Sequence, residues 1–227
     1  MIVGIHQPNY LPWLGYFHKI SRSDVFVFLD DAQYSKNSFT NRVKILRKGE
    51  GRWLTQPVSF RFRDPINTVS FARYDWKSAH LDVLQGVYNA APAFSSVWPD
   101  IKALYGDLGD ENLSVVNAKI ISGLCVHLGI SSKFHFSSEI EVGKARADDR
   151  LIGIVNKIAP GGCYLSGTGG ARYQDPEKFS AAGLTLEYTD FQHPAYDQNT
   201  SPFVSGLSVV DAVFHLGWAQ TGQLLAA

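Results

Sequence analysis

Ile2-Val3-Gly4-Ile5-His6-Gln7-Pro8-Asn9-Tyr10 opens the chain, and Asp24-Val25-Phe26-Val27-Phe28-Leu29-Asp30-Asp31 follows one helix later. Each is a short apolar run that stops abruptly at polar residues. Both runs carry the β-branched or aromatic side chains that fit a buried strand. Between them Pro12 opens a segment in which Trp13, Leu14, Phe17 and Ile20 recur at helical spacing. Strand, helix, strand, with polar residues at both carboxyl ends, is the unit from which parallel α/β sheets are built.

The pattern continues outward. Asn41 to Ile45 and Trp53 to Val58 read as strands, and residues 61–74 have mixed character. From Trp76 the periodicity is helical, with Leu81, Leu84, Val87 and Tyr88 on one face and Ile101, Leu104, Tyr105 and Leu108 on another. Glu111 to Gly129 is the clearest helix, with Gly129 as its C-cap. A strand at Phe134 to Phe136, a helix at Arg150 to Ile158 and a strand at Cys163 to Leu165 follow. Then come a helix at Pro176 to Ala182, a strand at Leu184 to Phe191 and a last helix at Val209 to Leu225. The fold expected is α/β: one domain over residues 1–227 with a mostly parallel, Rossmann-like sheet and a mainly helical insertion at about 76–130.

Composition narrows the class. The 227 residues are 45% hydrophobic and 19% charged, enough to build a core and too few charges for disorder. Lysine plus arginine balance aspartate plus glutamate at 21 each, which argues against a constitutive nucleic-acid partner or a polybasic membrane surface. No apolar run reaches the 18 or so residues of a membrane span. Two cysteines, Cys125 and Cys163, are too few for a disulfide scaffold, so a reduced, cytoplasmic setting is expected. The amino terminus lacks the basic and apolar regions of a signal peptide.

Ligands of open α/β sheets sit outside the carboxyl ends of the strands. Three polar blocks are therefore expected to converge on one cleft. In the first, His6 is a candidate general acid or base, or a phosphate contact, against the alternative of a hydrogen-bonded strand-end histidine. Gln7 and Tyr10 share its rigid turn, while His18 reads as a capping or surface residue. In the second, Asp30 and Asp31 point to opposite faces, so one is expected in the cleft as base or ligand and the other in the turn. Magnesium would suit such a carboxylate, but no metal signature is present. Gln33, Asn37, Asn41, Arg42 and Lys44 follow, a donor-rich stretch suited to phosphates or a carboxylate, or else a solvated loop and edge strand. The third block, Ser166-Gly167-Thr168-Gly169-Gly170, is a glycine turn that could cradle an anion or simply connect strand to helix. It matches neither a P-loop nor a nucleophile elbow. His193 and Tyr196 lie in a proline-bearing loop and could line the pocket. Ser208 and Asp211 read as a helix-start box. The residues specify no cofactor.

The blocks resemble the WbqC-like proteins. Ile5 to His18, Asp24 to Tyr34, Asn41-Arg42-Val43-Lys44, Tyr164 to Gly167 with Tyr173, His193 to Gln198 and Leu207 to Asp211 all carry the likeness, which spans nearly the whole chain. Tyr173-Gln174-Asp175 departs from the Tyr-Leu-Asp expected there. The resemblance implies an enzyme of surface-polysaccharide (O-antigen) biosynthesis. Its substrate would be a nucleotide-linked amino sugar, modified by acyl or aminoacyl transfer from a donor the resemblance does not specify. It brings no catalytic residues with it. Two other classes compete: a nucleotide-dependent adenylate-forming or nucleotidyl-transfer enzyme, of adenine-nucleotide α hydrolase-like fold, and a non-catalytic sugar-nucleotide binding module.

Overall fold

The computed structural model describes residues 1–226. In chain order the elements are β1 (Ile2–His6), α1 (Leu14–Ser21), β2 (Val25–Phe28), β3 (Arg42–Arg47), β4 (Glu50–Thr55), β5 (Val58–Ser59) and β6 (Ser70–Phe71). Three helices follow, α2 (Trp76–Tyr88), α3 (Phe94–Gly106) and α4 (Leu113–His127). The chain then forms β7 (Lys133–Phe136), α5 (Ala147–Ile158), β8 (Cys163–Ser166), α6 (Pro176–Ala181), β9 (Thr185–Tyr188) and α7 (Val209–Ala226).

Five strands make a wholly parallel sheet in the order β7-β2-β1-β8-β9. Counted along the sheet strands alone, that is the 3-2-1-4-5 order of a Rossmann-like fold. The chain leaves β1 toward β2 and β7, then returns to β8 on the other side. The switch point therefore lies between β1 and β8.

Strand alternation sorts the core into two layers. Val3, Ile5, Val25 and Val27 pack with Ile154, Val155 and Phe179 from α5 and α6. Phe26 and Phe28 face the opposite way, into a larger layer with Phe17, Ile121, Leu124 and Phe214 from α1, α4 and α7. Gly4 lies under that second face because a Cβ there would come within 2.9 Å of the Phe26 ring. The final helix is interrupted at Gly217, whose φ of 79° lies in the left-handed region. Among the described residues no helix is long and apolar enough to cross a membrane.

Several expectations need adjustment. The strands expected at 41–45 and 53–58 are one tight hairpin, β3 and β4, closed by Lys48-Gly49 with positive φ at both residues (54° and 75°). That is the backbone a two-residue type I′ turn requires. His18 is neither cap nor surface: it is buried, and its ring nitrogen meets the Leu225 carbonyl at 2.9 Å. Ser208 caps α7, accepting from the Val210 amide at 3.3 Å, but Asp211 does not join it. Asp211 is wholly buried and accepts from Tyr88 (3.0 Å), Tyr196 (2.7 Å) and Gln198 (3.0 Å). Burial raises its pKa.

Asn117, wholly buried on α4, ties two loops of the upper sheet edge together. Its Nδ2 donates to the Pro8 carbonyl at 3.0 Å and to the Thr40 carbonyl at 2.7 Å. Removing the amide strands two buried acceptors and opens a small void. Asn117→Ala is expected to lose about 2–4 kcal/mol of stability in urea denaturation at unchanged m. A loss near zero would show that these loops do not depend on Asn117.

Candidate functional site

Two cavities open over the carboxyl ends of β1 and β8, at the switch point. The first, about 340 Å³, is lined by His6, Trp13, Tyr16, Lys19, Tyr164, Phe191 and the glycine turn Ser166–Gly170. The second, about 370 Å³, is lined by His6, Gln7, Leu29, Arg150, Leu151 and Tyr164. His6, Tyr164 and Tyr173 line both, so the two are lobes of one cleft.

His6 ends β1 with Tyr16 edge-on at 4.9 Å and Trp13 at 6.2 Å. Its Nδ1 lies 3.2 Å from the Gln7 carbonyl. A carbonyl can only accept, so Nδ1 carries the proton and Nε2 presents a lone pair. Burial and the neighbouring Lys19 charge depress the imidazole pKa to about 4, against a smaller opposing effect of the Gln7 carbonyl.

Lys19 reaches the same lobe from α1. Its residue is 4% exposed, and Nζ donates to the Ile5 carbonyl at 2.7 Å, with the Tyr164 ring 5.8 Å away. Among the described residues no carboxylate pairs with it. Burial pulls its pKa down from 10.5 to about 7. Sequence reading passed over Lys19. The available signal was positional: Gly15, Tyr16 and Lys19 share one stripe of α1, opposite the apolar stripe that marked the helix. That second stripe covers the cleft instead of meeting solvent.

The glycine turn closes the lobe. A Cβ at Gly167 or Gly169 would meet open space, whereas one at Gly170 would collide with Ser166 and Gln174. Gly170 therefore allows the turn to fold tightly beneath the ligand space. Tyr173, 74% exposed, stands at the shared rim. Asp175 caps α6, accepting from the Glu177 amide at 3.1 Å.

The other expected site residues fall into three groups. Gln7 lines the second lobe, and Asp31 reaches it through an ion pair with Arg150 and a bond from Ser137. Asp30 is buried beneath. It accepts from Asn67 (3.1 Å) and from the Ser138 amide (2.9 Å) and hydroxyl (2.7 Å), and it shares the one Ser137 hydroxyl proton, 3.1 Å away, with Asp31. Those bonds fill its acceptor sites and hold the loop after β7. His193 supports the cleft from behind, 5.9 Å from Phe191 and 5.8 Å from Phe203.

Tyr10, Tyr196, Asn41, Gln33 and Asn37 do not line either lobe. Tyr10 is core, bonded to His80 at 2.7 Å and to Tyr105. Tyr196 serves Asp211, and Asn41 is buried with Nδ2 on the Gln56 carbonyl at 3.1 Å. Gln33 and Asn37 are exposed, Asn37 at a turn with φ of 63°. Arg42 and Lys44 stand on the β3–β4 hairpin over Trp53, outside both lobes. Cys125 is buried and pushed up to about 12, unsuited to thiolate chemistry. Among the described residues no three His, Cys, Asp or Glu side chains group as metal ligands.

The chain matches the WbqC-like protein family over residues 7–223. It is 30% identical over 218 residues to "Uncharacterized protein Rv1507c" of Mycobacterium tuberculosis, covering 95% of this chain and 94% of that protein. No solved structure matches it. The family match takes in nearly all of the sheet and its helices, and the relative is covered along almost its whole length: the chain belongs to the WbqC-like protein family.

Proposed function

We propose that this protein is a cytoplasmic transferase of surface-polysaccharide (O-antigen) assembly. It acylates or aminoacylates the amine of a nucleotide-linked amino sugar in the switch-point cleft. The observation that carries this reading is Lys19, a buried amine without a carboxylate partner, in one cavity with His6 and the glycine turn. An amine that ionises near pH 7 is what a general base at physiological pH needs. The substrate class rests on the likeness to WbqC-like proteins, and the compartment on two free cysteines.

In the proposed step the sugar amine attacks the carbonyl carbon of an activated acyl donor. A C–N bond forms, and the C–S or C–O bond to the leaving group breaks. The proton lost by nitrogen passes to Lys19 Nζ and from there to the leaving group. His6 Nε2 accepts a hydrogen bond from the amine and orients its lone pair. The amides of Gly167 and Gly169 would meet the carbonyl oxygen as it gains charge. Asp30 takes no part, because its acceptor sites are filled, and Asp31 fixes Arg150 at the rim.

Holding a lysine in this place has a stability cost. Its folded pKa, about 7, lies below the unfolded value of 10.5, so between those pH values the unfolded chain holds the extra proton. Stability due to Lys19 therefore rises with pH from about 7 to 10.5. Lys19→Met is expected to be more stable than the parent at pH 7, by roughly 1–4 kcal/mol, and to lose that rise. The same variant should lose at least about 100-fold in kcat. In the parent, kcat should climb through about pH 7 as Lys19 becomes neutral. A variant that keeps its rate, or that is less stable at pH 7, contradicts the role given to Lys19.

Ligand binding gives the second test. A nucleotide-linked amino sugar that binds only the native state must raise the apparent Tm. A panel of such sugars, acyl-CoA thioesters and ATP should show a rise with at least one amino-sugar nucleotide. A rise with ATP alone would favour adenylate chemistry over amide formation.

A further inference from the structure

A strip of aromatic rings leads out of the cleft. Trp13, in the cleft wall, lies 6.2 Å from the His6 ring and 5.4 Å from Phe39, and Phe39 lies 5.7 Å from Trp53. Phe39 and Trp53 are large apolar residues left 43% and 42% exposed. At the far end the β3–β4 hairpin presents two cations on the Trp53 ring: the Arg42 guanidinium 4.0 Å from its centroid and the Lys44 ammonium at 5.3 Å.

This grouping follows from strand register. Arg42 and Lys44 lie two apart on β3, and Trp53 stands opposite Lys44 on β4, so all three leave one face of the hairpin. Stacking fixes the cations without neutralising them. Neither makes an ion pair or side-chain hydrogen bond among the described residues; Arg42 Nε is itself buried, so the terminal guanidinium nitrogens are the donors left to a ligand. Unpaired cations with unused donors fit an anion, and guanidinium geometry suits phosphate. Exposed rings beside them offer a stacking surface for a planar base, an interaction largely indifferent to which base it is.

We infer that the Phe39–Arg42–Lys44–Trp53 face of the hairpin is a nucleoside diphosphate subsite. The phosphates meet Arg42 and Lys44, the base stacks on Trp53 and Phe39, and the attached group runs past Trp13 toward His6. This rests on the acyl-transfer reading, in which both substrates can carry such a handle: the sugar on a nucleoside diphosphate, the acyl group on coenzyme A. The shelf recognises the chemistry they share.

Isothermal titration of the intact protein with UDP, dTDP and ADP separates these sources. UDP or dTDP stands for the sugar handle and ADP for the coenzyme A handle. At least one should bind, and the one that binds assigns the handle. Arg42→Gln, Lys44→Gln and Trp53→Leu should each weaken it by roughly tenfold or more, equal to about 1.4 kcal/mol. Lys19→Met should bind it as the parent does while failing in turnover, because the free nucleotide carries no reacting group. Lys44→Gln, at a partly exposed side chain, keeps the test open if Arg42→Gln does not fold. No binding of any of the three at millimolar concentration, or parent-like binding by the folded hairpin variants, overturns the shelf. Either result leaves the acyl-transfer reading standing, since that is tested separately by the rate and stability of Lys19→Met and by the thermal-shift panel.

Discussion

The cleft depends on the removal of water from Lys19. An ammonium loses most of its hydration when buried, and a single carbonyl 2.7 Å away replaces little of it. The amine therefore ionises near pH 7, and its charged form pushes the His6 imidazole still further toward the neutral form. Two bases that would be partly or fully protonated in water near neutral pH are held poised beside each other. The rings around them keep water away: Tyr16 and Trp13 lie edge-on to His6, Tyr164 lies 5.8 Å from the amine, and Phe191 lines the same lobe.

The sheet makes this possible. Where the chain reverses its direction of travel, between β1 and β8, the loops after the strands diverge to leave a crevice. The larger helical layer then closes it from one side. Lys19 is carried there by α1, a helix with aromatic and aliphatic residues toward α7 and a second stripe against the sheet. Asp211 belongs to the same layer but to a different solution of the burial problem. Three neutral donors satisfy it, so it stays in the core as a structural carboxylate.

Much of the architecture was legible because each sheet strand is a short apolar run ending at a polar block, and each helix has a clear apolar face. The parallel sheet, the order of elements and the burial of Cys125 follow from that grammar. The hairpin was less legible, since Lys48-Gly49 lacks the Asn or Asp that advertises a type I′ turn. His6, Gln7 and the glycine turn could be placed at the cleft because their strand ends could be recognised. Asp30 could not be told from a catalytic carboxylate, because the groups that saturate it, Asn67, Ser137 and Ser138, are distant in sequence. Tyr10 and Tyr196 looked like ligand contacts for a similar reason: their partners, Tyr105 and Asp211, lie on other elements. Lys19 was hidden by the usual rule that a helix lysine faces water, which fails when both sides of a short helix are covered.

The central claim concerns the ionisation of two side chains, and heteronuclear NMR titration of the Lys19 side chain and the His6 ring tests it most directly. Lys19 should titrate near pH 7, and His6 should remain neutral down to about pH 4 with its proton on Nδ1. A Lys19 that stays protonated well into the alkaline range, or a His6 that titrates near its ordinary 6.5, would show a hydrated pair and contradict the account of the cleft.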